Sequence, residues 1–376
     1  MTELAVDLID HHVHGVVTAD LDRPGFESLI TEADGAPTAG TMFDSQLGFA
    51  VRRWCAPVLD LAPFASPEEY LERRSSLGFE EVNRRFLSQS SVAMWLIDTG
   101  FQADLLTTPQ QMAEVSGEAA RQIVRLESVA EQVFLGGTTA AGFADSFADA
   151  LATATITVQA VGYKTIVAYR YGLDFEPSRP NDAEVAAAAG RLLRELDADP
   201  LASRVGDPVL LRHLIWTAID TRLPVQFHVG FGDTDMRLYR NDPSLLTDFL
   251  VLTKPTGTPV MLLHCYPFQR VAGYLANVFP HVYMDVGAIL NHVGARSATV
   301  LAEALELTPF HKMLYSSDAF GLPELHYLGA IGFRRDYARV TDSFVADDLW
   351  SAADAARVAE LIGWQNAARV YGVEKE

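Results

Sequence analysis

Short apolar runs alternate with amphipathic segments along most of this chain. From about residue 90 onward the runs are bounded by turn residues and separated by helical patterns, which is typical of βα units on a parallel sheet. Eight runs are predicted to be strands: Leu4–Asp10, Val92–Asp98, Gln122–Glu127, Tyr163–Arg170, Val225–His228, Val260–His264, His281–Val286 and Met313–Asp318. Eight such units close a barrel, so the sequence predicts the α/β class and a (β/α)8 architecture.

Residues 15–90 interrupt this alternation. They contain helical patterns at Leu47–Leu59 and Pro67–Ser88, separated by proline and glycine. A connection of this length at the carboxyl end of the first strand is expected to cover the site as a lid or subdomain, with a passive insertion on the rim as the alternative. We therefore expect one domain over residues 1–376, with a helical insert at 15–90.

Composition excludes several classes of protein. The 376 residues carry a formal net charge of -20, which argues against nucleic acid or an anionic membrane surface as a partner. Only two cysteines occur, Cys55 and Cys265, so a disulfide framework is excluded and a reducing compartment is favoured. With no leader pattern and no long apolar stretch, we expect a cytoplasmic protein.

Candidate chemistry begins with His12 and His14, at the end of the first apolar run. Two imidazoles at i and i+2 on a strand share a face and can hold one metal ion. The spacing alone is a weak signal, because buried histidines satisfied by backbone carbonyls are common. The remaining apolar runs strengthen it: His228, His264 and Asp318 also end predicted strands.

Donors that end parallel strands meet at one face of a barrel. The expected metal ligands are His12, His14, His228 and Asp318, holding one divalent cation, with zinc first and manganese or iron as alternatives. A bound water would then have a pKa of roughly 7. Asp318 is predicted to accept its proton and return it to a leaving amine. His264 is predicted to bind the substrate's carbonyl oxygen, although a ligand role remains open.

Three further residues are candidates for binding substrate. Arg170, Tyr169 and Glu127 end predicted strands at the same mouth. The Arg170 guanidinium suits a substrate carboxylate, with Glu127 holding it in place. A structural Arg–Glu pair that braces the rim explains the same residues equally well.

Together, the His-x-His, the two later histidines and Asp318 resemble the amidohydrolase superfamily of metal-dependent barrel hydrolases. The stretches Ile97–Phe101, Arg125–Glu127, Gly162–Leu173 and Asn366–Tyr371 are similar to the branch that includes the amidohydrolase-like domain fused to glutamine synthetase. The resemblance covers nearly the whole chain. It implies a TIM barrel, a bound metal and hydrolysis of a small substrate.

Many binuclear members of that superfamily carry a carboxylated lysine at the end of the fourth strand. Lys164 lies six positions before Arg170, roughly 20 Å away at the rise of a strand. If Arg170 is at the mouth, Lys164 should be at the opposite end of the barrel with a structural role. The sequence therefore predicts one metal ion rather than two.

The leading functional hypothesis is hydrolysis of a small C–N bond in a carboxylate-bearing substrate. The branch suggests a γ-glutamyl amide by analogy. The alternatives are decarboxylation of an aromatic or unsaturated acid, then isomerisation of a sugar acid, and last a scaffold without enzymatic activity. A homo-oligomer is possible, because barrels of this kind often pair.

Overall fold

The computed structural model describes residues 4–35, 37, 39–199 and 203–374. Residues 36 and 38 of the expected insert, and the ends of the expected 1–376 domain, lie outside this part. Within it, seven parallel strands form one sheet in chain order. The strands are β1 Leu8–Val13, β2 Val92–Asp98, β3 Ala119–Arg125, β4 Gly162–Thr165, β5 Val225–Val229, β6 Val260–His264 and β7 Val282–Met284. Each strand pairs with the next, which is the order of a barrel wall.

The segment 313–318 closes the barrel without forming a regular strand. Its Leu314 N–H donates to the Met284 carbonyl of β7 at 3.0 Å, while its Tyr315 carbonyl accepts from the His11 N–H of β1 at 3.2 Å. The Tyr315 N–H instead donates to Ile362, outside the sheet. The ladder is therefore interrupted, which explains why the predicted eighth strand is extended but irregular. The predicted α/β barrel is confirmed.

The ends of β1, β3, β4, β5 and β7 differ from the predicted ones, and the end of β4 changes the site. The strands β2 and β6 have the predicted bounds, but β4 stops at Thr165, and Val167–Arg170 forms a helical turn. Likewise β3 stops at Arg125, so Glu127 lies in the first turn of the next helix. The apolar residues after Thr165 are buried in either conformation, so hydrophobicity alone could not locate this end.

Helices follow the strands and cover the outside of the barrel. They are α1 Arg23–Ser28, α2 Gln46–Ala50, α3 Pro67–Leu77, α4 Phe79–Ser90, α5 Pro109–Ser116, α6 Leu126–Leu135, α7 Phe143–Thr157, α8 Val167–Arg170, α9 Asp182–Ala198, α10 Pro208–Thr221, α11 Thr247–Thr253, α12 Gln269–Val278, α13 Ile289–His292, α14 Ser297–Leu305, α15 Pro323–Ala346, α16 Ala352–Glu360 and α17 Asn366–Tyr371. Two π-helical turns, Val51–Cys55 and Leu361–Gln365, continue α2 and α16. None of the described helices is both long and apolar enough to cross a bilayer.

The core has two parts. A large cluster fills the space between the strands and the outer helices. A smaller cluster fills the inside of the barrel with Ile9, Met94, Leu96, Ile123, Met261, Leu263 and Leu314, together with Ala367, Tyr371 and Val373 from the last helix and the residues after it. The helix α17 therefore plugs the bottom of the barrel, and the site lies above this plug.

The insert between β1 and β2 is helical, as predicted, and buried polar contacts fix it to the barrel. The Arg74 Nε of α3 donates to Glu324 Oε1 of α15 at 2.8 Å, and the Tyr70 hydroxyl donates to the same oxygen at 3.0 Å. The Arg74 side chain is 3% exposed and that of Glu324 is 0% exposed. This pair holds the body of the insert in place.

Removing one member of this pair should destabilise the protein strongly. We expect Arg74→Met to lower the free energy of unfolding by about 3–5 kcal/mol, because it leaves the Glu324 carboxylate buried without its cation. Arg84→Met is the matched control, since Arg84 and Glu81 form an exposed pair on α4 that should contribute at most about 1 kcal/mol. Urea unfolding measures both, and equal losses would contradict the anchoring role.

Candidate metal centre and substrate cavity

Four strand ends bring their side chains together around the Asp318 carboxylate. Its Oδ1 lies 3.1 Å from His12 Nε2 and 3.7 Å from His14 Nε2. Its Oδ2 lies 3.4 Å from His264 Nε2. The His228 ring is next to that of His264, with centroids 4.6 Å apart. All five residues that the sequence proposed as ligands or catalytic groups are therefore neighbours.

In both His14 and His228, one ring nitrogen is hydrogen-bonded to a backbone carbonyl oxygen. The His14 Nδ1 is 2.9 Å from the carbonyl oxygen of Asp98, and the His228 Nε2 is 2.8 Å from that of Phe231. A carbonyl oxygen only accepts, so each of these nitrogens must carry the proton. The free lone pair is then on Nε2 in His14 and on Nδ1 in His228. Both rings are thus prepared to bind a cation inside the barrel mouth.

Burial keeps these imidazoles neutral. It lowers the pKa of His14 to about 4 and holds the pKa values of His12, His228 and His264 well below the ordinary value. Neutral imidazole is the form that binds metal ions. Burial also raises the pKa of Asp318, since the surrounding rings offer little positive charge to a carboxylate.

The residues present fit a divalent cation. Neither ring nitrogen of His264 has a hydrogen-bond partner among the described residues, although the side chain is 1% exposed. Such unpaired buried atoms are costly and rare. Ligand atoms of His12, His264 and Asp318 lie within 4.8 Å of one another, and a cation among them would satisfy both His264 and the buried carboxylate.

Asp98 belongs to a second possible group with His12 and His14, but its oxygens are already used. One oxygen accepts two hydrogen bonds from Arg125, at 2.5 and 3.1 Å, and the other accepts from the Gly100 N–H at 2.8 Å. Burial alone would raise the pKa of Asp98, but the charge of Arg125 lowers it to about 2. Asp98 therefore fits better as the counter-ion of Arg125.

The backbone at the mouth adopts unusual conformations. His264 and Asp318 have φ angles of 67° and 49°, in the left-handed region that side chains other than glycine rarely adopt. Asp10 fixes the approach to Asp318 by accepting from the Ser317 N–H at 2.9 Å and from the Ser317 hydroxyl. Backbone strain of this kind is concentrated at functional sites.

The predicted position of Lys164 at the bottom of the barrel is wrong. Because β4 ends at Thr165, Lys164 lies at the mouth, where its Nζ donates to His12 Nε2 at 3.2 Å. Burial lowers its pKa, while the Asp318 charge opposes the shift. The argument for one metal ion from the remoteness of Lys164 therefore no longer holds.

Of the three proposed substrate-binding residues, two line the cavity and one does not. Tyr169 and Arg170 line the cavity, and the Tyr169 ring packs on His228 with centroids 4.4 Å apart. The Arg170 partner is Glu131, at 2.9 Å, rather than the expected Glu127. Glu127 is fully buried, where it accepts from the Thr165 hydroxyl and the Ile166 N–H at 2.6 and 2.9 Å. It braces the end of β4 instead of facing the cavity.

The cavity above the donors has a volume of about 650 Å³. Residues 28–34 of the insert and loop residues 233 and 235 after β5 form part of its wall. Asp34 accepts a hydrogen bond from the Thr234 hydroxyl, which joins these two sides. Of the described insert residues, only those in this short part line the cavity, and they are the ones that can act as the expected lid.

Sequence reasoning missed two basic residues on this wall. Arg125 ends β3 and Lys164 precedes the last residue of β4, and both line the cavity. The strand β3 gave a weak signal because its first four residues, two alanines, an arginine and a glutamine, are only half-buried. The available signal was the helix cap or turn that follows each strand. Both strands were nevertheless predicted to end too far along the chain.

Comparison with known proteins agrees with this arrangement. The family model described as "Amidohydrolase" matches residues 9–373. The chain belongs to the amidohydrolase family. Members of this family are metal-dependent enzymes, and His12, His264 and Asp318 form a candidate metal-binding group in this member.

Individual relatives extend over the whole chain. The crystal structure of a "putative metal-dependent hydrolase" from Lactobacillus casei is similar, with 30% identity, a TM-score of 0.86, and coverage of 98% of this chain and 96% of that one. A uronate isomerase from Bacillus halodurans has the same fold, with 13% identity, a TM-score of 0.66, and coverage of 99% and 94%. Protein fluG from Emericella nidulans is 27% identical over 98% of this chain. This chain spans 46% of the length of fluG.

Adding metal should stabilise the protein through these donors. We expect zinc or manganese at 1,000 times its dissociation constant to raise the free energy of unfolding of chelator-treated protein by about 4 kcal/mol. His264→Ala should lose most of this gain. His292→Ala is the control, because His292 lines the cavity beside Glu32, away from the donor group. Thermal unfolding with and without metal measures the effect, and an unchanged gain in His264→Ala would contradict the ligand assignment.

Proposed function

We propose that the protein hydrolyses a small amide or related C–N bond in a substrate that carries a carboxylate. The observation that supports this most is the meeting of neutral imidazoles and one carboxylate at the floor of the cavity. We further propose His12, His14, His228 and Asp318 as ligands of a divalent cation. The two unpaired nitrogens of His264 favour adding it to the ligands over the substrate role first expected.

A divalent cation at this site would supply a water with a lowered pKa and polarise the scissile carbonyl. Asp318 is the group that takes up the proton of the attacking water. A carboxylate beside both the cation and the water is placed to hold that proton and pass it to the nitrogen of the departing amine. Because His12, His14 and His264 surround its oxygens, Asp318 has a fixed orientation for both transfers.

Charged side chains on the cavity wall support a small polar substrate. Arg170 and Arg125 provide guanidinium groups for a carboxylate. Glu32 and Asp233 face the same cavity and suit an ammonium group. A γ-glutamyl amide has both charges, and by analogy with the glutamine-synthetase-fused branch it is the first substrate class to test. Zinc remains the first cation to test, with manganese and iron next.

The second candidate function is decarboxylation of an aromatic or unsaturated acid. The same donors and Arg170 would then hold the acid, and a proton would go to carbon. Phe101 and Phe320 line the cavity with ring centroids 5.2 Å apart, and this apolar side favours an unsaturated substrate. Release of carbon dioxide without release of amine would select this candidate.

We also propose a reducing, cytoplasmic setting, since both cysteines are free and buried. A homo-oligomer is proposed as well, and exposed apolar side chains at Leu238, Tyr239 and Leu252 offer a surface for it. No nucleic acid or membrane partner is expected at a net charge of -20.

Removing the proton acceptor should abolish turnover. We expect Asp318→Asn to lower kcat for amine release from γ-glutamyl amides by about 10²–10⁴-fold. Asp220→Asn, a change in an exposed carboxylate that pairs with Arg179 and does not line the cavity, should keep most of the rate. Metal content is measured in parallel by elemental analysis, which also distinguishes one ion from two. A metal-loaded Asp318→Asn variant with the wild-type rate would exclude Asp318 as the proton acceptor.

Removing the guanidinium of Arg170 should weaken substrate binding. We expect Arg170→Met to raise KM about 10–100-fold with a small change in kcat, since it loses charged hydrogen bonds to the substrate carboxylate. Steady-state kinetics with the acid and with its methyl ester provide the test, because the ester should show no such change. Arg179→Met, in an exposed pair with Asp220, is the control. An equal loss on acid and ester would contradict carboxylate recognition by Arg170.

A further inference from the structure

A chain of buried hydrogen bonds runs beneath the metal centre. Gln226 of β5 lies between His12 and the last helix: its Oε1 is 2.9 Å from His12 Nδ1, and its Nε2 is 2.8 Å from both the His11 carbonyl oxygen and the Tyr371 hydroxyl. The Tyr371 hydroxyl is also 3.0 Å from His11 Nδ1. The His11 Nε2 is 3.0 Å from Asp285 Oδ2.

With a neutral His11 and an ionised Asp285, one arrangement of protons satisfies this chain. The His11 carbonyl accepts, so the Gln226 atom beside it must be the amide nitrogen. The Gln226 oxygen therefore faces His12, whose Nδ1 must carry the proton. The Tyr371 hydroxyl accepts from the other Gln226 hydrogen, so its own proton goes to His11 Nδ1, and His11 Nε2 donates to Asp285. The free lone pair of His12 is then on Nε2, the nitrogen beside Asp318 and Lys164.

An irregularity in β1 makes this chain possible. The pairing register of β1 with β2 shifts between Asp10 and Val13, so the neighbours His11 and His12 both reach inward instead of alternating. A regular strand would place His11 on the face opposite His12, whereas here it packs against Tyr371 of α17. Its side chain is fully buried between Asp285 and Tyr371.

The other end of the chain reaches a second metal-site residue. The Asp285 Oδ1 accepts from the backbone N–H of His264 at 2.9 Å and from that of Gly287 at 2.7 Å. Asp285 thus holds the end of β6, where His264 has its left-handed conformation. Tyr371 is 5% exposed and lies in the middle of this chain of hydrogen bonds, two bonds from His12 and three from His264.

We propose that Tyr371 is a positioning residue of the metal centre. Through Gln226 it fixes the proton of His12 on Nδ1. Through His11 and Asp285 it fixes the backbone of His264. The proposal rests on the proposed metal site and not on the reaction catalysed there. Removal of the hydroxyl leaves one Gln226 N–H without an acceptor, so the amide is held only by the His11 carbonyl and His12. The partner that orients the His12 ring and sets its tautomer is then less firmly fixed.

The alternative is that Tyr371 only fills the bottom of the barrel, where its ring packs with Ile9 and Leu314. Tyr371→Phe keeps the ring and removes the hydroxyl. Tyr337→Phe is the matched control, because its buried ring also loses one hydrogen bond, from its hydroxyl to the Ala355 carbonyl, at a place remote from His12. Gln226→Met removes the direct partner of His12.

The zinc dissociation constant, measured by competition with a chromogenic chelator, tests the proposal without any substrate. We expect Tyr371→Phe and Gln226→Met each to weaken binding about 10-fold or more, and Tyr337→Phe to leave it unchanged. The double variant Gln226→Met/Tyr371→Phe should bind about as Gln226→Met does, since most of the Tyr371 effect passes through Gln226. Equal dissociation constants for Tyr371→Phe and Tyr337→Phe, or fully additive losses in the double variant, would overturn the proposal.

A second measurement uses only the wild-type protein, so it does not depend on whether a variant folds. Two-dimensional ¹H–¹⁵N spectra of the metal-free wild-type protein report which ring nitrogen of His12 is protonated. We expect the proton on Nδ1, and a proton on Nε2 would overturn the proposal. Neither experiment depends on amide hydrolysis, so failure of the proposed reaction and failure of this positioning role are distinguishable.

Discussion

A neutral imidazole has one proton, and the site depends on where that proton is placed. When a carbonyl oxygen takes the N–H of one ring nitrogen, the lone pair of the other must point away from it. The carbonyls of Asp98 and Phe231 impose this on His14 and His228. The rim of the barrel therefore orients the metal-binding atoms through its backbone, and this explains why residues far apart in sequence offer lone pairs to the same small volume.

Polar groups inside the barrel are costly, so each must be paired. Asp10, His11, Gln226 and Asp285 are fully buried, and each has hydrogen-bond partners. Burial raises the pKa of Asp10 to about 7 even though Ser317 donates to it. Replacing one member leaves another buried without a partner. Stability and the shape of the site are therefore maintained by the same contacts, and few of these residues can change independently.

Much of this arrangement could be predicted from sequence. The donors were found because each ends an apolar run, and a barrel places all such ends at one face. The ends of β3 and β4 could not be found in this way. After Thr165 the apolar residues continue into a helical turn, so the run Tyr163–Arg170 seemed one strand and Lys164 was placed at the wrong end.

The pattern of apolar and polar positions also does not indicate which side chains are hydrogen-bonded to each other. Gln226 lies inside a predicted strand and Tyr371 ends one of the stretches that carry the family resemblance, and neither position indicates the hydrogen bonds that the side chain makes. The shift of register in β1 decides that His11 reaches the inside, and a register shift depends on the neighbouring strand. Such features follow from tertiary contacts and not from local periodicity.

The bond between His11 and Tyr371 joins positions 360 residues apart. During synthesis the first strand leaves the ribosome long before the residue that completes the floor beneath it. Contacts between such distant positions form late, because a long loop must close first. We therefore expect the topology to set the order of folding. The wall of the barrel assembles first, and the cation-binding centre acquires its final geometry when α17 docks.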